Sequence, residues 1–328
     1  MYWFIRYYFK LKPLYELLEK QNKKYITFFV DIQNISRGLY SSKSLEYYYY
    51  SKDSNLYFEE IIRYINWLYS KFKKYEPYIV IFADSGKSKY HHMINEDYKA
   101  HRRDGSFFTG VSNTTEFTSA DLLNILIHLK KVTYEKLFEY QAKTDYMSFI
   151  YLHLLETDFI PHYIIRNNLI ETNTDDNINI LLSVDKDILQ TTKFKNTYQL
   201  IIRYHMSNKK TETLLFDNST AYKYLIKDLD KKGKYQIGAE YIPLILAIAG
   251  DSSDNIQGIK GYGYKKAIQL IKQTNLAPDL SNINEIENPI VKKYKLLIEK
   301  NYSLTSFDKL IDSLPFKYKN LIHSLLPK

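Results

Sequence analysis

An α/β fold with a largely parallel sheet is predicted by three features: four short β-branched and aromatic runs, an acid closing each run, and longer amphipathic stretches between them. Strands alternating with helices pair in parallel because each helix carries the chain back to the starting edge of the sheet. The first run, Tyr25 to Val30, is followed by Asp31, and the second, Tyr78 to Ala83, by Asp84. A third, Ser148 to Leu155, leads to Glu156 and Asp158; a fourth, Ile178 to Val184, leads to Asp185 and Asp187. Tyr198 to Arg203 and Glu212 to Phe216 are expected as further strands, and Ala221 to Asp230 as a helix. Ligands of open α/β sheets gather beyond the carboxyl ends of the strands, so these acids are placed to converge.

The segments around this core are less regular. Residues 1–24 form an N-terminal arm whose opening, Met1 to Phe9, is apolar, but Arg6, Lys10, Lys12 and Pro13 break it well short of a membrane span, and a packing role is expected. No other stretch is long and apolar enough to cross a bilayer, which predicts a soluble, cytoplasmic protein. Between the second and third strands, Ser85 to Lys131 is a polar and aromatic insertion; connections this long are usually functional or disordered. From Ala239 the chain is helical in pattern, with breaks near Pro278 and Asn288. A border near Gly233 divides an α/β core over 25–232 from a helical region over 233–328.

Composition narrows the chemistry. The 328 residues suffice for one large core, and a net charge of +9 favours a polyanionic partner. The absence of cysteine excludes disulfides, thiolate-bound zinc and a thiol nucleophile, which leaves carboxylates and histidines as metal ligands.

Glu156 and Asp158 are two apart, so both side chains would leave one face of a strand end, and Asp185 and Asp187 repeat that spacing. Asp251 and Asp254, three apart, would share one face of a helix. Any one of these acids alone is ordinarily an exposed charge or a helix cap. Gathered together, neighbouring carboxylates at ~4 Å would repel by roughly 4 kcal/mol per pair at an effective dielectric near 20, which bound cations would relieve. Oxygen ligands without Cys or a spaced His pair favour Mg²⁺, with Mn²⁺ as a substitute, over Zn²⁺. Two such ions suit hydrolysis of a phosphodiester.

Residues 250–268 form the most specific segment. An apolar helix (Tyr241 to Ala249) leads into a loop with Gly258, Gly261 and Gly263, and a second helix begins near Tyr264. Glycines let backbone approach a phosphate, the following helix N-terminus adds a favourable dipole, and Lys260, Lys265 and Lys266 add charge.

This segment resembles the helix-three-turn-helix of the flap endonuclease and phage and bacterial 5′-nuclease family. Ile79 to Ser88, continuing through Asp97-Tyr98-Lys99-Ala100-His101-Arg102, is similar to that family's second strand and arch base. Asp31-Ile-Gln-Asn, Ser183-Val-Asp-Lys-Asp-Ile-Leu-Gln and the stretch Leu297 to Asp308 resemble its first aspartate motif, its paired aspartates and its closing helix. Five motifs in order span about residues 25 to 310.

The resemblance implies a PIN-like, mostly parallel sheet with helices on both faces, a helical arch over about 85–131 and a helix-three-turn-helix over 239–273. It implies two Mg²⁺ sites, one drawing on Asp31, Asp84, Glu156 and Asp158 and the other on Asp185, Asp187, Asp251 and Asp254, with K⁺ at the helix-three-turn-helix. Asp84 and Asp185 would be central to catalysis, and Lys99 and Arg102 would lie over the scissile phosphate. Tyr98 would stack on a base, and Arg103, Gly258, Lys260, Gly261, Gly263, Lys265 and Lys266 would contact nucleic acid. Phe159 departs from the pattern, standing where phage and bacterial members commonly carry a further Asp. The implied protein is a monomeric, Mg²⁺-dependent 5′-to-3′ exonuclease or flap endonuclease of DNA replication. Its implied partners are branched or 5′-overhanging DNA, RNA/DNA hybrid and replication proteins, with no membrane. Two other readings share parts of the pattern: a non-catalytic branched-DNA-binding replication factor, and a PIN-type ribonuclease, which lacks the glycine-rich hairpin.

Overall fold

The computed structural model describes residues 11–33, 42–84, 88–99, 117–172, 174–205, 210–227 and 233–327. One six-stranded sheet has the order β3-β2-β1-β4-β5-β6. Its strands are β1 (Tyr25–Asp31), β2 (Pro77–Ala83), β3 (Met147–Tyr151), β4 (Asn177–Leu182), β5 (Thr197–His205) and β6 (Lys210–Phe216). The first five pair in parallel, as the alternating strand and helix pattern predicts, and β6 runs antiparallel to β5. The helices of this half are α1 (Lys12–Gln21), α2 (Ser42–Ser51), α3 (Asn55–Phe72), α4 (Lys89–Ile94), α5 (Ser119–Gln141), α6 (Ile160–Arg166) and α7 (Ala221–Ile226).

Two strands stop short of their predicted ends. β3 ends at Tyr151 because Leu154 takes a left-handed φ of 65° and the Leu155 N–H turns back to the Leu152 carbonyl. β4 ends at Leu182 because Gln199 Nε2 donates to the Ser183 and Asp185 carbonyls, each at 2.8 Å, in place of a backbone partner. The helix expected over Ala221 to Asp230 ends at Ile226, with Lys227 left-handed at φ 49°.

Successive side chains on the strands point to opposite faces, and each set meets its own helices. Phe28, Val30, Ile79, Ile81, Phe149 and Ile180 pack with Leu14 and Leu18 of α1, Ile61 and Leu68 of α3 and Leu129 of α5. Phe29, Val80, Phe82, Ile150 and Leu181 pack with Ile160 and Ile164 of α6. Truncating one of these buried aromatics to alanine costs about 3–5 kcal/mol, so the two-sided packing holds the strand ends firmly. The sheet is thus mostly parallel with helices on both faces.

The C-terminal part adds α8 (Ile242–Ala249), the two-residue strands β7 (Gly250–Asp251) and β8 (Ile256–Gln257), α9 (Tyr264–Thr274), α10 (Pro289–Thr305), α11 (Phe307–Ser313) and α12 (Phe316–Ser324). Leu189, Ile201, Phe216 and Tyr222 share a core with Leu244, Ile268 and Ile298, so apolar packing is continuous across position 233. Leu310 of α11 and Ile322 of α12 return to the face of the sheet occupied by α6. Among the described residues no helix is long and apolar enough to cross a membrane.

Candidate active site

The strand order reverses between β1 and β4, and the carboxyl ends of the parallel strands open beside that switch point. Asp31 is the last residue of β1, and Asp84 follows β2 directly. Glu156 and Asp158 do not sit on a strand, as the sequence suggested, but on the turn that replaces the end of β3. Asp185 likewise lies beyond β4, and Asp187 opens the 3₁₀ turn Asp187–Lys193. Nor do Asp251 and Asp254 share an α-helix: Asp251 ends β7 and Asp254 closes the 3₁₀ turn Ser252–Asp254. Both are nonetheless buried and turned toward the same space as the sheet-borne acids.

Local hydrogen bonds tie these positions together. Ser183 Oγ donates to Asp31 Oδ2 at 3.0 Å, joining the ends of β1 and β4. Thr157 donates to Asp84 Oδ1 from its backbone at 2.6 Å and from its hydroxyl at 2.9 Å, joining β2 to the loop after β3. The Asp187 N–H donates to Asp185 Oδ1 at 3.0 Å.

Electrostatic contacts link all eight acids. Burial and then repulsion from Asp84 push Asp31 up to about 7. Asp84 is raised by burial and by Glu156, and Asp158 well above the usual carboxylate range by burial, Asp84, Asp185 and Asp31. Asp187 is likewise raised well above that range by burial, Asp185, Asp251 and Asp254. Asp254 stands at about 6 through burial, partly offset by Lys99. Glu156 is the exception: despite burial it is lowered, because the Lys99 ammonium lies against it.

Such a cluster fits divalent cations with oxygen ligands. One carboxylate oxygen from each of Asp187, Asp251 and Asp254 lies within 4.8 Å of the others, and Asp187 Oδ1 is buried without a hydrogen-bond donor. A buried carboxyl oxygen lacking a donor costs free energy that a cation at this point recovers. Phe159 is buried against the sheet with Phe82 and Ile164 and contributes nothing to the acid group.

One lysine of the arch base already meets the acids. Lys99 Nζ lies 2.6 Å from Glu156 Oε1 and 3.6 Å from Asp254 Oδ2, and its backbone N–H donates to the Asp254 carbonyl. The expected base-stacking role of Tyr98 does not match its position. Its side chain is 3% exposed, its ring is stacked on His91 at 4.5 Å, and its hydroxyl bonds Glu156 and Asp254, each at 2.9 Å. A phenol beside two buried acids gains more from those bonds than from solvent, which draws the ring inward. Arg102 and Arg103, with residues 85–87 and the rest of 100–116 in the arch insertion, lie outside the described residues.

The glycines of the 250–268 hairpin divide into two kinds. Gly258 does not face open space: a Cβ there would fall 2.2 Å from the Ala249 carbonyl, because β7 and β8 pair at that point. Gly261, at φ 81°, and Gly263 have nothing within 4 Å of such a Cβ, so these two present open backbone. Lys260 and Lys266 are exposed beside them, while Lys265 Nζ lies over the Tyr235 ring at 5.4 Å. Gly258→Ala is therefore expected to lower stability by about 1–3 kcal/mol. Gly263→Ala, by contrast, should leave the melting temperature within a degree or two of wild type, as circular dichroism melts will show.

Several supporting residues carried no assignment in the sequence. Lys186, flanked by two of the acids, places Nζ 2.7 Å from Asp251 and 2.8 Å from Ser253 Oγ. Lys130 of α5 is largely buried, and its amine, lowered by burial, is held up by the charges of Asp84 and Asp31. Gln190 donates to the Asp187 and Thr305 carbonyls and accepts from the Phe307 N–H, which braces the Asp187 turn against α10 and α11. Asn301, inside the predicted closing helix, donates to the Ala247 and Gln257 carbonyls and clamps both sides of the hairpin. Only Lys186 had a visible signal, a cation between two acids.

No family model matches the chain. Among curated proteins it is 28% identical over 143 residues to DNA polymerase I of Caldicellulosiruptor bescii, a match covering 43% of this chain and 16% of that protein. It is 32% identical over 114 residues to a 5′-3′ exonuclease of Mycoplasma genitalium, covering 34% of each. The matched segments thus span well under two thirds of either relative. Among known structures, the phage T5 flap endonuclease in a pseudo-enzyme–product complex with DNA and metal ions superposes with a TM-score of 0.63 at 16% identity, covering 91% of this chain and 97% of that one. The T5 5′-exonuclease with bound zinc superposes at 0.61 with 17% identity and the same coverage. This chain therefore shares its fold with the T5 5′-exonuclease and flap endonuclease.

Proposed function

We propose that the protein is a structure-specific 5′-nuclease that hydrolyses phosphodiester bonds near junctions of single strand and duplex, in 5′ flaps, overhangs and RNA primers, during DNA replication. The observation that carries this reading is the convergence of eight acids from separate segments at the carboxyl ends of one sheet, with Lys99 among them and the glycine hairpin alongside.

In this reading Asp31, Asp84, Glu156 and Asp158 hold one Mg²⁺, and Asp185, Asp187, Asp251 and Asp254 hold a second. Bound there, the pair would supply an activated water and neutralise charge on the attacking and leaving oxygens. The chain's own groups position the strand. Lys99, released from Glu156, donates to a phosphoryl oxygen where charge develops, and Arg102 serves beside it. Tyr98 anchors the 97–99 segment to the acids through its hydroxyl. Gly261 and Gly263 offer backbone N–H groups to duplex phosphates, and Lys260 and Lys266 add charge there. Contacts of this kind position the duplex without reading its sequence, so sequence preference is weak.

The direct test uses a 5′-labelled flap and a matching blunt duplex, each with Mg²⁺ or with chelator. Cleavage near the junction of the flap, absent with chelator, is the expected result. Equal cleavage in both buffers removes the metal-dependent mechanism, and no cleavage in either leaves a binding protein. The alanine variant of Lys99 is expected to lose about 10²-fold in turnover with little change in substrate affinity.

A further inference from the structure

We propose that Lys186 is a built-in counter-ion of the second acid group, holding Asp251 until a divalent cation displaces it and thereby setting the affinity of that site. This deepens the two-ion reading and rests on it. Lys186 lies between Asp185 and Asp187 in sequence, yet its ammonium pairs with a third acid, Asp251. Its ammonium is 2.7 Å from each oxygen of Asp251. Ser253 reinforces the pair: its backbone N–H and its hydroxyl both donate to Asp251 Oδ1, at 2.9 and 2.5 Å, and the same hydroxyl accepts from Lys186. Asp251 therefore has its oxygens covered by donors, whereas Asp187, in the same trio, has a buried oxygen with none. A cation entering at Asp187 meets one vacant carboxylate oxygen and one carboxylate that must first be released.

The geometry also supplies a destination for the displaced amine. A cavity of about 430 Å³ opens beside Asp251, lined by Ser252, Gln257, Gly263 and Tyr264. Tyr264 is near enough for its hydroxyl to feel the charges of Lys186, Asp251 and Asp187. This cavity reaches from Asp251 to the open Gly263 of the hairpin, so an ammonium swung into it meets a phosphodiester oxygen of any strand spanning the two. A lysine stem is long and flexible enough for that excursion. Lys99 differs, for it belongs to the 97–99 segment and pairs with Glu156 and Asp254.

Mn²⁺ titration, read by the electron paramagnetic resonance of free ion and by chelator competition from the loaded protein, tests the proposal. Competition needs no stable metal-free fold, so a variant that unfolds when stripped still yields affinities. Wild type should show two classes of site. Lys186→Gln should tighten one class by about tenfold or more, because a unit positive charge at contact distance has been removed, and leave the other within about threefold. Lys186→Arg, which keeps the charge, should stay near wild type. Affinities of Lys186→Gln equal to wild type, or shifted alike in both classes, overturn the proposal. Wild type binding no Mn²⁺ at all would instead remove the two-ion reading on which it stands.

Discussion

Asp185→Asn is expected to lower cleavage of a 5′ flap on the order of 10³-fold while raising the melting temperature of the metal-free protein. Both effects follow from position. Asp185 is the carboxylate whose charge bears on Asp31, Asp158, Asp187 and Asp254, members of both proposed ion groups. Neutralising it removes a ligand charge from the second ion and relieves repulsion with both groups that the stripped protein otherwise carries. The amide keeps an oxygen where Asp185 Oδ1 accepts the Asp187 N–H, so the local turn survives. Loss of activity through unfolding would have the opposite thermal signature. A variant that cleaves within tenfold of wild type, or that melts lower without metal, is incompatible with Asp185 standing at the centre of a cation pocket.

Much of this site was legible in the chain because acids at strand ends follow from a local pattern. The runs before Asp31 and Asp84 end where periodicity places them, and the parallel order follows from helices alternating with strands. Spacing was the weaker guide. The pairs Glu156 and Asp158, and Asp251 and Asp254, were expected on one face of a strand and of a helix. They converge instead through a left-handed residue at Leu154 and a two-residue β-bridge at Gly250–Asp251. Such turns are set by tertiary hydrogen bonds, Thr157 to Asp84 and Asn301 to the hairpin carbonyls, whose partners are distant in sequence. Gly258 illustrates the same limit. Sequence marks it as a glycine near phosphate-binding geometry, but the structure spends its missing side chain on the close approach of Ala249. Tyr98 was misplaced for a related reason, since the resemblance gives it a base-stacking role while its acidic partners, distant in sequence, hold its hydroxyl inside the fold.

The gain in melting temperature on adding saturating Mg²⁺ should be larger at pH 8 than at pH 5.5, by about 5 °C or more. A carboxyl whose folded pKa is raised stabilises the fold fully below its unfolded value, and that contribution is lost as pH climbs through the folded value. For Asp31 the window runs from 3.8 to about 7 and represents on the order of 4 kcal/mol; Asp254 adds a narrower one ending at about 6. At pH 8 the stripped protein therefore bears the charges of Asp31 and Asp254 and their repulsion, and bound cations relieve it. At pH 5.5 part of the cluster is protonated, the repulsion is smaller, and cations must displace protons to bind. His162 pulls the other way. Burial holds it down at about 4, so its neutral form favours the fold above the usual histidine value and that advantage fades as pH falls toward 4. His162 bonds Asp308 and Thr191 and none of the eight acids, so its contribution is common to stripped and loaded protein and cancels in the difference between them. Differential scanning calorimetry with and without Mg²⁺ at the two pH values isolates the cluster. A gain that is equal at both, or greater in acid, would mean that the raised carboxyls are not the groups that take up the metal.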